Sequence, residues 1–318
     1  MKPPSSAIRN LLINRVLPIA GILLVAGIWG SSFVGVKVAL DHAGPLTIAA
    51  LRYSIAAILL MPWIVHSRRN GSSLQRTDWG KLTMIGFSQY VVGNGALFLA
   101  LRTVTSTSAS LAISLVPIPI VLLEIIHLKE RPSRMHLVGI LIAVIGSVAF
   151  FVFDLSAITP GNLGLLALAT ISFAFMPVLG RDLARKHVVN TIELTGIPLA
   201  IGGGALLVLA AAFEGVPRLP SQTWGIIIGL ALINTLAAYL LFNHALKHLR
   251  AGEANIVLNI TPAATAFIAW GALGDRLAGM QMVGIAIVIV GATLAQNRKR
   301  TSEAPSDQGS EMAGDHAG

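Results

Sequence analysis

The sequence predicts an all-α polytopic membrane protein, with ten transmembrane helices arranged as two inverted five-helix repeats. Three observations carry that expectation. Apolar residues make up 54% of the 318-residue chain and charged residues only 12%, about half the roughly 25% that a soluble domain carries; the mean hydropathy is +0.76. Ten apolar stretches follow one another, each close to the roughly 20 residues that cross a bilayer core of about 30 Å as a helix. The second half of the chain also repeats residues of the first at a constant offset of 145 positions. Two soluble domains would fit the length, but the charges are too few to cover their surfaces. The same composition excludes a disordered, collagen-like or disulfide-rich secreted chain. With no cysteine, thiol catalysis and thiolate metal sites are excluded as well.

The first apolar segment, 16–36, is longer than a signal-peptide core and is followed by nine more, so it reads as a membrane span rather than a cleaved signal. The second, 46–66, starts after Asp41-His42-Ala43-Gly44-Pro45 and stops at the polar stretch 67–78. The third, 82–101, and fourth, 107–127, run up to Lys129-Glu130-Arg131-Pro132, and the fifth, 135–153, closes the first half. The sixth, 161–180, ends at the charged stretch 181–187. The seventh to tenth are 192–213, 224–244, 254–273 and 278–296. Their length and their lack of period-two alternation make them helices, not barrel strands. Residues 1–15 form an N-terminal segment. Residues 297–318 read as a disordered tail, with four acids and no Lys or Arg from Glu303 onward.

Topology follows from the basic residues. With the N-terminus in the cytoplasm, 18 of the 23 Lys and Arg fall on the cytoplasmic side. Lys37, Arg52, Arg102, Arg218 and Arg276 fall toward the other. The positive-inside rule then puts both termini in the cytoplasm of a cell whose inner membrane holds the chain. The pI of 10.5 is therefore a topology signal and not a sign of nucleic-acid binding. The expected partners are the lipid bilayer and a small-molecule substrate, for a monomer or a homodimer.

The offset of 145 sets Trp79-Gly80 against Trp224-Gly225, Pro117 against Pro262, and Glu130-Arg131 against Asp275-Arg276. It also sets Gly139 and Gly146 against Gly284 and Gly291. The first segment matches the sixth at 143, with Gly21 against Gly164. Five spans per copy is an odd number, so the second copy enters the membrane inverted. Inverted repeats place a pseudo-two-fold axis in the membrane plane and a substrate site near its midpoint. The expected units are 16–153 and 161–296.

The same offset pairs polar residues inside the spans: Gln89 with Asn234, Ser110 with Asn255, Ser114 with Asn259. Positions 110/114 and 255/259 are four apart and share a helix face. An unpaired amide in hydrocarbon costs several kcal/mol, so these groups either line a cavity or bond between helices. Tyr90, Asn94, Tyr239, Asn243 and His244 lie on the same helices under the same two readings. Pro117, Pro119 and Pro262 interrupt spans four and nine, as hinges or as static kinks. Arg52, within the second span, is a functional candidate or snorkels to the interface. Lys37 attracts an anion or anchors the first helix. Glu124, with His127 beside it, couples protons or snorkels. The four paired glycines make a small face for helix packing within the chain or for a dimer. Val288, on the tenth span, is expected to face lipid.

Two five-helix halves resemble the drug/metabolite transporter superfamily, and within it the EamA-type ten-helix carriers. So do the run Trp29-Gly30-Ser31-Ser32-Phe33 and the helix-Pro-helix-(Glu/Asp)-Arg element ending each half. The resemblance covers about residues 16–296. It implies export or exchange of small metabolites, often amino acids or related compounds. It also implies a central cavity lined by helices 3, 4, 8 and 9 with help from 1 and 6, which brings in Trp29 and Ser32, and peripheral helices 5 and 10. Ser172 stands where the repeat would match Trp29, a departure from symmetry.

No phosphate loop, metal spacing or nucleophile-base pair appears, so neither an enzyme nor a cofactor or metal site is expected. The expectation is an alternating-access secondary transporter exporting small polar metabolites. The alternatives are a multidrug or cation efflux carrier, which the lack of an acid in the first helix disfavours, and a small organic anion exchanger. A non-transporting receptor or an embedded enzyme ranks last.

Overall fold

The computed structural model describes residues 12–70, 74–129, 133–152, 159–186, 189–249, 251–275 and 278–296. Residues 1–11 of the expected N-terminal segment, the tail from 297 and the Glu130-Arg131/Arg276 match lie outside these residues. All regular structure among the described residues is helical. In chain order it comprises α1 Leu17–Ala39, α2 Pro45–Asn70, α3 Arg76–Leu101, α4, α5 Arg134–Val152, α6 Pro160–Arg185, α7 Thr191–Phe213, α8 Ser221–Ala245, α9 and α10 Gly279–Gln296. Three helices are broken: α4 into α4a Ser106–Ile113 and α4b Pro117–Leu123, α6 at Ala174, and α9 into α9a Ala251–Leu258 and α9b Thr261–Leu273.

Seven of these helices, α1 to α4 and α6 to α8, are long and apolar enough to cross a membrane. α5, α9 and α10 carry shorter apolar runs, Leu137–Phe150, Thr261–Leu273 and Gly279–Gly291. For α9 the shortfall from the expected full-length span has a cause, the interruption at Asn259-Ile260. Helix ends also differ from the apolar boundaries. α2 runs on to Asn70, α3 begins at Arg76 and α6 continues through Arg185. Hydropathy marks where lipid ends, whereas capping marks where a helix ends. The Asp78 carboxylate accepts the Gln75 N–H at 3.1 Å, and Asn190 and Glu193 exchange side-chain-to-backbone bonds of 2.9 and 3.1 Å at the start of α7, a reciprocal cap.

Proline accounts for the breaks. Pro117 opens α4b and Pro262 lies in the first turn of α9b. Neither can donate to the preceding turn, so residues 114–116 and 259–260 tighten into turns with three-residue bonds such as Val116 N to Ile113 O and Ile260 N to Val257 O. Pro177 stands in the same relation to the break at Ala174. α3 and α8 are modified differently. Each holds a stretch of wider, π-type turns, Gly86–Asn94 and Leu230–Ala237. The two stretches overlap at the 145-residue offset.

α2 lies along α7, and α5 along α10. The paired glycines make the second contact. A Cβ at Gly146 would sit 2.7 Å from Val288 N and 2.8 Å from Gly284 O. One at Gly291 would sit 2.5 Å from Ala143 N and 2.7 Å from Gly139 O. The glycine face therefore serves packing within the chain. Val288 is buried in this seam at 1% exposure, which corrects the expectation that it faces lipid; Val290, 53% exposed, lies outside it. Gly146→Leu is expected to lower the melting temperature in detergent, because overpacking of this kind costs about 1–3 kcal/mol; an unchanged melt would mean the helices do not touch there.

Polar contacts tie the ends of the bundle. At the end where α1 begins, the Lys81 ammonium of α3 donates to Asp182 of α6, with Lys186 at 3.3 Å and His127 at 4.0 Å from the same carboxylate. Nearby, Ser67 of α2 donates to Glu193 of α7 at 3.1 Å. At the opposite end Glu214, just after α7, accepts the Leu46 and Thr47 N–H groups at 3.0 and 2.8 Å. It thereby caps α2, where a negative charge meets the helix dipole.

Candidate functional site

The broken and widened helices surround a cavity of about 110 Å³. α1 contributes Trp29, Ser32, Phe33 and Val36, and α2 contributes Arg52. α3 brings Gln89, Asn94, Leu97, Phe98 and Leu101; α4 brings Ser110, Ile113, Ser114, Val116 and Pro117. α6 adds Phe173, Met176 and Pro177 around its break, α8 adds Tyr239 and Phe242, and α9 adds Asn255, Leu258, Asn259, Thr261 and Pro262. Among the described residues, α5, α7 and α10 contribute none.

The geometry of α3 and α8 follows from their π turns, which leave backbone carbonyls to be satisfied by other groups. The Asn94 amide donates to Gln89 O at 2.7 Å, and the Thr235 hydroxyl to Leu230 O at 3.0 Å, each reaching back five residues. Gln89 Nε2 donates to the Tyr239 hydroxyl at 2.9 Å, joining α3 to α8 across the cavity. Trp29 packs on Tyr239 and Phe242 with ring centres 5.2 and 5.3 Å apart. Gly30 makes this placement feasible: a Cβ there would lie 2.9 Å from Ala264 Cβ, so α1 runs close against α9b.

The Ser/Asn pairs reach the cavity with different partners. Ser110 donates to Thr107 O and Asn255 to Ala251 O, both within their own helices. Ser114 donates to Leu111 O at 2.5 Å and shares a 2.8 Å bond with Ser147 of α5, so it lines the cavity and also holds helices together. Asn259 opens the break in α9. It is 3% exposed, and its Nδ2 has no hydrogen-bond partner among the described residues. Buried amides are nearly always paired, so this donor stands out. The Thr261 hydroxyl beside it is likewise unpartnered.

Arg52 is 3% exposed and does not snorkel to the interface. Its Nε donates to Thr235 Oγ1 at 2.6 Å, Nη1 to Ser32 Oγ at 2.7 Å and Nη2 to Asn234 O at 2.9 Å. The guanidinium also lies 5.2 Å from the Tyr53 ring centre and 6.0 Å from that of Phe98. No carboxylate among the described residues pairs with it. Among the described lining residues it alone is charged.

Six candidate residues lie elsewhere. Tyr90 is fully buried against Tyr53 and Tyr239, at ring distances of 4.8 and 5.6 Å. The Asn234 side chain donates to Ile28 O and Ser31 Oγ of α1, so it ties α8 to α1 and does not line the cavity. Lys37 donates to Leu101 O and Val104 O at 2.7 and 3.0 Å, closing the C-terminal end of α3. Glu124 is buried just after α4b and does not line the cavity. Asn243 bonds Thr195 of α7 at 2.9 Å, and His244 lies 5.4 Å from His248. The aromatic and apolar lining residues Phe98, Phe173, Met176 and Phe242 carried no signal in the sequence, because such residues fill every span. Thr261 has Val116 as its repeat partner, so the pairing of polar residues passed over it.

The model of the EamA-like transporter family matches residues 16–152 and 161–296. The chain is 24% identical over 282 residues to the uncharacterized transporter YyaM of Bacillus subtilis, covering 84% of this chain and 89% of that protein. It is 25% identical over 287 residues to an uncharacterized transporter of Archaeoglobus fulgidus, covering 87% and 98%. It is 22% identical over 289 residues to the uncharacterized inner membrane transporter YedA of Escherichia coli, covering 88% and 91%. One crystal structure shares the fold with a TM-score of 0.68 at 18% identity, over 88% of this chain and 95% of that one. With a family model matching both halves of a bundle of apolar helices around a central cavity, the chain is a multi-pass membrane protein that belongs to the EamA-like transporter family.

Proposed function

We propose that the protein is a secondary transporter that works by alternating access and exports small polar metabolites, amino acids or related compounds, across the cell inner membrane. The observation that supports this most strongly is the matched deformation of the cavity helices. α4 and α9 break at Ser114 and Asn259, which are repeat partners, and α3 and α8 widen at overlapping positions. Broken helices at the interface of inverted repeats are where such carriers bind solute. The pairing of α2 with α7 and of α5 with α10 fits a two-fold axis that exchanges the halves. On this reading the ten helical segments are ten spans, and the breaks at Pro117 and Pro262 act as hinges.

A lipophilic-cation carrier is disfavoured, since the described lining holds no carboxylate. Flux in proteoliposomes tests the transporter reading: solute-loaded vesicles are expected to show saturable counterflow of labelled solute, whereas binding without counterflow would mean a receptor. The proposed orientation has both termini in the cytoplasm. The chain has no cysteine, so single cysteines report cleanly. An impermeant thiol reagent on intact cells is expected to label Pro217→Cys, beyond α7, and to spare Arg185→Cys, at the end of α6. The reverse pattern would invert the topology.

A further inference from the structure

We infer that Arg52 is the carboxylate-binding residue of the cavity, and that the solute is a small organic acid recognised by its carboxylate rather than by an ammonium group. The inference rests on the transporter reading for the cavity being a solute site. It extends that reading by naming the group recognised.

A guanidinium stays protonated in proteins, so Arg52 cannot escape burial by losing its charge. Buried charges are normally paired with an opposite charge. The three partners of Arg52 are a threonine hydroxyl, a serine hydroxyl and a backbone carbonyl. They orient it without neutralising it. They also use one N–H each on Nε, Nη1 and Nη2, which leaves one N–H on each Nη from the five that arginine carries. The partners come from α1 and α8, so the group is fixed in place before any solute arrives, which lowers the entropy cost of binding. A carboxylate supplies the missing charge and accepts such N–H groups in strong, charge-assisted bonds.

The rest of the lining agrees. The Asn259 Nδ2 and the Thr261 hydroxyl, both unpartnered, offer donors to a further oxygen of the solute. No described lining residue offers a carboxylate to an ammonium. Lys37, the other basic residue near this region, is taken up by two helix-end carbonyls. An amino acid therefore binds through its carboxylate, and its ammonium is dispensable.

The test is thermal stability of the purified protein with matched ligands at millimolar concentration. The panel holds the 2-amino, 2-oxo and 2-hydroxy acids of one aliphatic and one aromatic side chain, with the amides of the two amino acids. A ligand raises the melting temperature in proportion to its occupancy of the folded state. The expected result is a shift from the acids of at least one series, with the oxo or hydroxy acid at least matching the amino acid, and none from the amides. Amides that stabilise as well as the acids would overturn the inference, and so would the absence of any shift from the acids. In Arg52→Gln the acid-induced shift is expected to disappear, with part of it kept in Arg52→Lys; a full shift in Arg52→Gln would overturn the assignment. Because Arg52 joins three helices, Arg52→Gln can fail to fold, and the wild-type panel then decides alone. Acid-specific binding without counterflow would sink the transporter reading but not this one. Counterflow of amides would do the opposite.

Discussion

Replacing Asn259 by Leu is expected to cut transport severalfold or more while the protein stays inserted and folded. The substitution removes an unpartnered amide donor from the cavity wall and puts a branched apolar side chain in its place. Loss of a polar contact costs about 1 kcal/mol, and a solute group left buried and unpaired costs roughly 1–3 kcal/mol. No group among the described residues accepts from this Nδ2, so its loss is expected to leave folding intact. If Asn259 instead held helices together, Leu would lower the melting temperature and leave flux per folded molecule unchanged. Rates normalised to monodisperse protein separate the two, with Val290→Leu on the exposed side of α10 as the control.

The double change Pro117→Ala with Pro262→Ala is expected to slow turnover about tenfold, an added barrier of ~1.4 kcal/mol, with solute binding weakened less. Alanine restores a backbone donor at each position and removes the ring that clashes with the preceding turn. α4 and α9 then tend to close over residues 114–116 and 259–260 into continuous helices. A wild-type turnover rate in the double variant would make the breaks static kinks. Counterflow rates at saturating solute, set beside thermal shifts for binding, separate turnover from affinity.

Spans were legible in the sequence because a run of apolar residues is read the same way by lipid and by a hydropathy scale. Helix ends were less so: the first turn of α3 is polar and is fixed by a carboxylate cap at Asp78. The 145-residue offset in the sequence singled out Gln89, Ser110, Ser114, Asn255 and Asn259, and all five line the cavity. Asn234 shows where that symmetry stops. Its partner Gln89 points across to Tyr239, whereas Asn234 meets α1, and α1 differs from α6 where Trp29 faces Ser172. Arg52 was visible as an ionisable residue inside a span. Its inward direction was not, because a long side chain one or two turns from an interface reaches either way. The apolar wall was illegible for a simpler reason: Phe98 and Phe242 look like any other residue of an apolar helix.

Alternating access is the central claim, and a single cysteine in the cavity tests it most directly. Ser114→Cys changes one atom at the break of α4 in a chain with no other cysteine. Right-side-out and inside-out vesicles are treated with a membrane-impermeant thiol reagent, with and without a bound solute. The account predicts labelling in both vesicle types, slowed by solute in each. Labelling from one side only, under all conditions, would contradict it.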